Sequence, residues 1–275
     1  AAAGRPGGFP TEVNVTDFEV AIFDNRWPGL VDSAPPGETR AYGRCEVVVY
    51  SPRATGTLGD LPADRVALIL QAVADRVDRI MADPNIAAVV PFENRGAFIG
   101  ATLPHPHGQI YALGDLPPVF ARQAEGFAAL DGPLWRMLAE RRDLVIAEDA
   151  HTLTVCPAFA RYPYESWVVP KAHVAGAGAL DDDALMALAA ALAAQVRRYD
   201  SLFGTETPYV MWQAVPPRGA EGWPFHIQFW PLQRGPGKMK YLASVEQITG
   251  LYLLDVPPEE AAATLRATQP DEVVR

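Results

Sequence analysis

The pattern of apolar and polar positions predicts strands that alternate with two long helices. Apolar residues recur at helical spacing over residues 61–81 and again over residues 181–203. Short apolar or alternating runs predict strands, and these cover residues 18–23, 45–50, 86–92, 109–113, 153–155, 166–169, 209–214 and 227–230. Residues 238–275 are expected to add a strand and a helix at Pro258–Thr268. Packing against a sheet explains the apolar stripes of the helices better than an exposed partner surface does.

The order strand, helix, strand, strand occurs twice, which predicts two fused halves of one protein. We place a flexible segment rich in Gly and Pro at residues 1–16, a first half at 17–148 and a second, structural half at 149–275. In this alignment, Pro224-Phe225-His226-Ile227-Gln228 corresponds to Leu103-Pro104-His105-Pro106-His107. The predicted fold class is α+β, with antiparallel sheets and helices packed on one side of them.

The composition is that of a globular protein with an acidic balance. Hydrophobic residues make up 49% of the 275 residues, and the formal net charge is −10. Nucleic acids and anionic membranes are disfavoured as partners, because both require clustered positive charge. Two cysteines, Cys45 and Cys156, do not make a disulfide framework, so we expect a cytoplasmic protein. No apolar run is long enough to predict a membrane span.

The segment Phe92–Gln109 carries the candidate chemistry. His105, His107 and Gln109 alternate along a strand-like stretch, so their side chains are expected on one face. A neutral imidazole can accept a phosphoryl group when a carbonyl holds its Nδ1 proton and leaves Nε2 free. The glycines of the segment permit the close backbone approach that phosphate cradles use. A bare His-Pro-His can also simply end a strand, and a His-x-His pair can bind zinc if two more ligands are available.

The run Phe92-Glu93-Asn94-Arg95-Gly96, with Gly100 and His105-Pro106-His107-Gly108-Gln109 after it, resembles the active-site signature of galactose-1-phosphate uridylyltransferases. These enzymes belong to the histidine-triad superfamily, so the resemblance implies two fused histidine-triad-like half-domains. It also implies that His107 forms a covalent uridylyl intermediate while the His105 carbonyl holds its Nδ1 proton. The residues expected to contact substrate around the phosphates are Asn94, Gly100, Thr102 and Gln109.

The same resemblance implies further contacts, partners and a reaction. Asn25 and Arg26 lie where the family contacts the uridine nucleotide. The positions at which the family contacts phosphate and hexose, often across a homodimer, are Lys240, Tyr241, Ala243, Val245 and Glu246. The implied partners are a nucleotide sugar and a sugar 1-phosphate, and we expect a homodimer. In the implied ping-pong reaction, UDP-glucose leaves its uridylyl group on His107, and galactose 1-phosphate then collects it.

Departures from the family pattern bear on metals and on sugar choice. Many members bind zinc with a Cys-x-x-Cys pair, a downstream His and the first His of the motif, but this sequence has no such pair and has Ala54 at the downstream position. His105 is therefore expected to ligate zinc only if an upstream segment supplies other ligands, and no firm cofactor is predicted. The positions at which some members hold a second metal are Gln123, Gln213, His226 and Gln228, a poor divalent set. Tyr252 stands where a hexose-contacting Gln is common in the family, so the resemblance does not determine the sugar specificity.

Other functions compete with uridylyl transfer to galactose 1-phosphate. A divergent member that acts on another nucleotide or sugar phosphate, and a dinucleoside-polyphosphate phosphorylase, are alternatives of the same class. A silent nucleotide-binding protein would keep the fold alone, but the joint presence of Asn94, His107 and Gln109 argues against it. A metal-dependent hydrolase is a third alternative, and a chelator would abolish its activity. Gln109 stands where superfamily hydrolases have a third His, and an amide cannot act as a general acid, which favours transfer over hydrolysis.

Overall fold

The computed structural model describes residues 13, 16–35, 40–101 and 105–268. Thr102 lies outside these ranges, as does the predicted N-terminal segment apart from residues 13 and 16. None of the helices within them combines the length and the apolar character that crossing a membrane requires.

Nine strands of the described residues form one antiparallel sheet. In chain order they are β1 (Ala21–Asp24), β2 (Gly43–Val49), β3 (Ala88–Arg95), β4 (His107–Leu113), β5 (Val145–Glu148), β6 (Thr152–Val155), β7 (Ser166–Pro170), β8 (Tyr209–Ala214) and β9 (His226–Pro231). Across the sheet the order is β1-β2-β4-β3-β8-β9-β7-β6-β5. A ribbon of β10 (Gln233–Gly235) and β11 (Lys238–Met239) follows. Every strand that the apolar runs predict is present, with small shifts at its ends.

The helices are α1 (Ala63–Met81), α2 (Pro118–Ala128), α3 (Leu134–Ala139), α4 (Asp182–Phe203), α5 (Val245–Thr249) and α6 (Pro258–Ala267). The two long helices and α6 occur where the sequence predicts them. The α4 helix begins where the Asp181 carboxylate accepts the Ala184 backbone N–H over 2.8 Å, and it ends at Gly204, whose φ is +65°. The short helices α2 and α3 and the edge strand β5 are not predicted, because each offers too few apolar repeats to define a period.

The long helices α1 and α4 pack together on one face of the sheet. Their apolar stripes, which include Val73 of α1 and Leu188 of α4, join Val48, Ile110 and Phe229 of the strands in one core. The interpretation of these stripes as core packing, and the prediction of helices on one side of the sheet, are confirmed for this pair.

The opposite face of the sheet is covered only in part, and by the helices that the sequence did not indicate. Phe120 of α2 packs against Trp212 of β8 with ring centroids 5.0 Å apart, and Leu134 and Leu138 of α3 pack against β6 and β7.

Pairing of β3 with β8 joins the two predicted halves. Phe92 lies opposite Trp212 and Asn94 lies opposite Val210, so the expected separate sheets are one continuous sheet. The predicted boundary between residues 148 and 149 falls within the turn that links β5 to β6, which pair with each other. That division of the chain into halves stays a prediction.

Candidate active site

The β4 strand begins at His107 and alternates its side chains between the two faces of the sheet. Ile110 and Ala112 point into the core beneath α1 and α4, whereas His107 and Gln109 lie on the opposite, more open face. The Nδ1 atom of His107 lies 2.7 Å from the backbone carbonyl oxygen of His105. Because a carbonyl oxygen can only accept, Nδ1 carries the proton and Nε2 carries the lone pair.

The turn that enters β4 is tied to the end of β2. His105 Nε2 lies 2.6 Å from the carbonyl oxygen of Ser51, so this ring donates from Nε2, whereas the His107 ring donates from Nδ1. The backbone N–H of Tyr50 donates to the carbonyl of Pro106 over 3.2 Å. Two hydrogen bonds to successive residues therefore hold the turn that supplies the His105 carbonyl to His107.

A cavity of about 450 Å³ opens beside His107. Its walls include Thr55, Asn94, Gly96, His105 and His107, so three of the predicted site residues meet there. Gly96 has a φ of +97°, and a Cβ on it would lie 2.8 Å from the Pro208 side chain, so this corner requires glycine. Asn94 on β3 offers an amide and His107 offers a nucleophilic nitrogen on the same face, an arrangement that suits a phosphate.

Four other predicted residues that the structure describes, Asn25, Arg26, Gly100 and Gln109, are not among those that line this cavity. Gln109 is two residues further along β4 on the same face as His107, and Gly100 ends the turn after Gly96 in the left-handed conformation. Asn25 and Arg26 follow the edge strand β1, where the Asn25 side chain accepts the Trp27 backbone N–H over 3.0 Å.

The C-terminal group of predicted contacts forms a segment of its own. Lys240 is buried, and its ammonium group donates to Glu246 over 2.9 Å and to the carbonyl of Leu253. Tyr241 and Val245 are exposed, and no residue of 240–246 lines the cavity beside His107. The substrate roles predicted for Lys240, Tyr241, Ala243, Val245 and Glu246 stay predictions.

The second half contains a histidine that is held in the same way as His107. Its position differs by two residues from the one that the sequence alignment gave. The β9 strand begins at His226, whose Nδ1 lies 2.8 Å from the carbonyl oxygen of Pro224, two residues before it. His226 therefore corresponds to His107, and Gln228 corresponds to Gln109. The alignment that paired His226 with His105 was wrong, because it matched residue types and not positions on the strand.

Burial makes the His226 ring of the second half inaccessible to a substrate. His226 is fully buried, with its ring stacked on Trp167 at 4.5 Å, and Gln228 donates to its Nε2 over 2.8 Å. Burial lowers the pKa of His226 to about 4. This histidine is held neutral with both nitrogens paired, which suits a structural role.

The donor atoms around the two histidine sites do not fit a metal ion. The Nε2 proton of His105 is already accepted by the carbonyl oxygen of Ser51, and Ala54 has no side chain that could bind a metal. His226 is paired with an amide, and the described residues contain no group of three or more His, Cys, Asp or Glu side chains arranged to hold a metal.

Glu93 is a candidate functional residue to which the motif assigns no role. It lines the same cavity and is 5% exposed, and its Oε1 accepts a hydrogen bond from the Tyr209 hydroxyl over 3.1 Å. Burial raises the pKa of Glu93 to about 7, although the nearby Arg95 guanidinium acts in the opposite direction. The sequence signal was an acidic residue directly after the apolar run of residues 86–92, between Phe92 and Asn94.

Replacing Glu93 by glutamine is expected to stabilise the fold at alkaline pH. The carboxyl ionises near its ordinary value of 4.5 in the unfolded chain but near 7 in the fold. The free energy of unfolding is therefore higher at acidic pH, and it falls by on the order of 2–3 kcal/mol as the pH rises through this interval. Denaturant unfolding at about pH 5 and about pH 8.5 should show the larger gain for Glu93→Gln at the higher pH.

A matched control for this change is Glu46→Gln. Glu46 is also a buried carboxylate on the helix-covered face, but it is paired with Arg76, with one contact of 2.7 Å. Its substitution is expected to destabilise the protein. An equal effect of Glu93→Gln at both pH values would contradict the raised pKa.

Comparison with known proteins identifies the family. Family models for the N-terminal and C-terminal domains of galactose-1-phosphate uridyl transferase match residues 37–117 and 123–271. A galactose-1-phosphate uridylyltransferase of Thermotoga maritima is 32% identical over 272 residues, which span 92% of this chain and 86% of that protein.

Solved structures agree with these matches. A uridylyltransferase superposes with a TM-score of 0.87 at 27% identity and covers 98% of this chain and 93% of that one. An ADP-glucose phosphorylase from Arabidopsis thaliana with bound ADP-glucose has a TM-score of 0.80 at 25% identity, over 91% of this chain and 82% of that one. The chain therefore belongs to the galactose-1-phosphate uridylyltransferase family of transferases.

Proposed function

We propose that this protein transfers a uridylyl group from UDP-glucose to galactose 1-phosphate through a covalent intermediate on His107. The observation that carries the proposal is the His107 ring itself, with Nδ1 held by the His105 carbonyl over 2.7 Å beside a cavity that Asn94 also lines. Family membership supports the substrate classes, a nucleotide sugar and a sugar 1-phosphate.

In the first step His107 Nε2 attacks the α-phosphorus of UDP-glucose. An N–P bond forms, the P–O bond to the β-phosphate breaks, and glucose 1-phosphate leaves with the electron pair. The ring becomes positively charged, and the His105 carbonyl stabilises that charge because it accepts the Nδ1 proton throughout. No proton has to move, so the site needs positioning more than acid–base catalysis.

In the second step a phosphate oxygen of galactose 1-phosphate attacks the same phosphorus. The N–P bond breaks, its electron pair returns to Nε2, and UDP-galactose leaves. In this proposal Asn94, Gly100, Thr102 and Gln109 contact the phosphates, and Asn25 and Arg26 contact the nucleotide. An amide at Gln109 can donate to a phosphate oxygen but cannot protonate a leaving group, which favours a sugar phosphate over water as acceptor.

An adenylyl donor is the second candidate. The similar Arabidopsis thaliana protein is an ADP-glucose phosphorylase, and its structure contains ADP-glucose. The same imidazole chemistry at His107 would then take an adenylyl group from ADP-glucose and give it to a phosphate acceptor.

Incubation with a nucleotide-sugar donor is expected to add one uridylyl group to the intact protein. The mass increase should appear with UDP-glucose, disappear in His107→Ala, and persist in His173→Ala, which removes an exposed histidine. Intact-protein mass spectrometry measures it, and addition of galactose 1-phosphate should remove the adduct. Because the described donor atoms do not fit a metal, we expect a chelator to leave the adduct unchanged.

Two other outcomes decide between the candidates. An adduct that forms with ADP-glucose but not with UDP-glucose would replace the uridylyl proposal with the adenylyl one. Absence of any adduct in folded protein would overturn both proposals and favour a silent binding protein.

We further propose that the protein acts as a homodimer whose C-terminal segment completes the partner's site. The exposed apolar side chains of this segment are Tyr241, Val245, Ile248, Leu251 and Leu253, and Ile248 is 83% exposed. A contiguous run of this kind marks an interaction surface on a globular protein. The segment also carries the predicted sugar-phosphate contacts, which do not line the cavity of their own chain.

Placing a charge on this surface should dissociate the dimer. Ile248→Glu is expected to sediment as a monomer and to lose acceptor use, because a buried unpaired carboxylate opposes association. Leu116→Glu, at an exposed leucine outside the segment, should remain a dimer. Analytical ultracentrifugation of the native protein and both variants measures this, and a native protein that sediments as a monomer would contradict the proposal.

A further inference from the structure

A layer of buried polar side chains lies behind the strand that carries His107. Glu93 of β3 and Tyr50, which follows β2, are both buried on the side of the sheet that α1 and α4 cover. The cavity beside His107 reaches residues of both faces at the end of β3, because the neighbours Glu93 and Asn94 both line it. The Tyr50 hydroxyl faces the Glu93 carboxyl, and the Tyr209 hydroxyl donates to Glu93 Oε1. Oε2 of Glu93 has no hydrogen-bond partner within the described part of the chain.

Tyr50 connects this carboxyl to the backbone on both sides of His107. Its own backbone N–H donates to the carbonyl of Pro106 over 3.2 Å. Its hydroxyl lies 2.4 Å from the position that a Cβ on Gly108 would occupy, so a side chain at Gly108 would displace the tyrosine ring. One tyrosine therefore contacts both residues that flank the nucleophile.

Charged and polar groups from several elements surround Glu93. Arg95, from the same strand, pairs with Asp200 of α4 over 2.9 Å and lies over the ring of Tyr209 from β8 at 5.3 Å. The Glu206 carboxylate lies 3.4 Å from Arg95 Nε, and Glu206 lines the same cavity.

A carboxyl in this place costs folding stability, so packing does not account for it. Burial is the largest influence on its pKa and acts against its charged form. Groups that oppose stability while lining a functional cavity are commonly there for activity.

We propose that Glu93 is a positioning residue of the transfer reaction. Its carboxyl anchors the Tyr50 hydroxyl, and Tyr50 fixes the backbone of Pro106 and Gly108. His107 thereby keeps Nδ1 on the His105 carbonyl and Nε2 directed to the phosphorus. This inference rests on the proposed function. Because Glu93 acts through the imidazole and not on the substrate, its loss should slow the reaction without weakening donor binding.

The test separates the rate of the chemical step from the affinity for the donor. Single-turnover formation of the His107 adduct from UDP-glucose is measured in the wild type, Glu93→Gln, Tyr50→Phe and the control Glu46→Gln. Donor affinity is measured by calorimetry after each change is combined with His107→Ala. We expect the rate to fall about tenfold or more in Glu93→Gln and Tyr50→Phe, with donor affinity unchanged, and the rate of Glu46→Gln to match the wild type.

The stability of the same variants distinguishes positioning from a structural role. Positioning predicts a slower Glu93→Gln protein that is also more stable at alkaline pH, a combination that a structural role cannot produce. If Glu93→Gln does not fold, Tyr50→Phe decides alone, since it keeps the ring and removes only the hydroxyl. Wild-type rates in both variants, or a slow rate with an equal loss of donor affinity, would overturn the positioning role. No adduct in the wild type would instead overturn the proposed function.

Discussion

The hydrogen bond from the His107 ring to the carbonyl of His105 is the interaction on which the rest of the site depends. It fixes the proton on Nδ1 and so leaves Nε2 as the nitrogen available for attack. The carbonyl reaches the ring because the turn before β4 is tied to the end of β2 at Ser51 and Tyr50. A backbone carbonyl, and not a carboxylate, therefore accepts the Nδ1 proton of the nucleophile.

The second half shows that this geometry is not sufficient for chemistry. His226 makes the same bond to a carbonyl two residues earlier, but it is packed against Trp167 and its Nε2 accepts the Gln228 amide. The two halves differ in access, because His107 lies beside an open cavity and His226 is fully buried. The Gln228 contact also shows how a Gln two residues after the histidine reaches the space in front of Nε2. Gln109 has the same spacing from His107, and we infer that it meets the phosphate there.

The local sequence pattern predicted the main helices and strands and the active-site motif. Contacts between distant segments decided how these elements pair and which other side chains reach the site. The long helices and the strands follow from periodicity, and His107 follows from the run around it. The role proposed for Glu93 could not be predicted, because its partners Tyr50 and Tyr209 come from segments far away in sequence. Similarly, the correspondence between the halves depends on where β4 and β9 begin. An alignment by residue type alone was therefore displaced by two positions. The sequence also gave no signal that β3 and β8 pair to make one sheet.

Nitrogen NMR of the His107 side chain shows which ring nitrogen carries the proton. At about pH 8.5 a free imidazole is neutral and prefers to carry its proton on Nε2 only weakly, so the protein environment decides the tautomer. The resonances are assigned by their loss in His107→Gln, and buried His226 provides an internal reference with Nδ1 on a carbonyl. The account predicts a protonated Nδ1 and an unprotonated Nε2 for His107. A proton on Nε2 would contradict it, because that nitrogen could not then attack phosphorus.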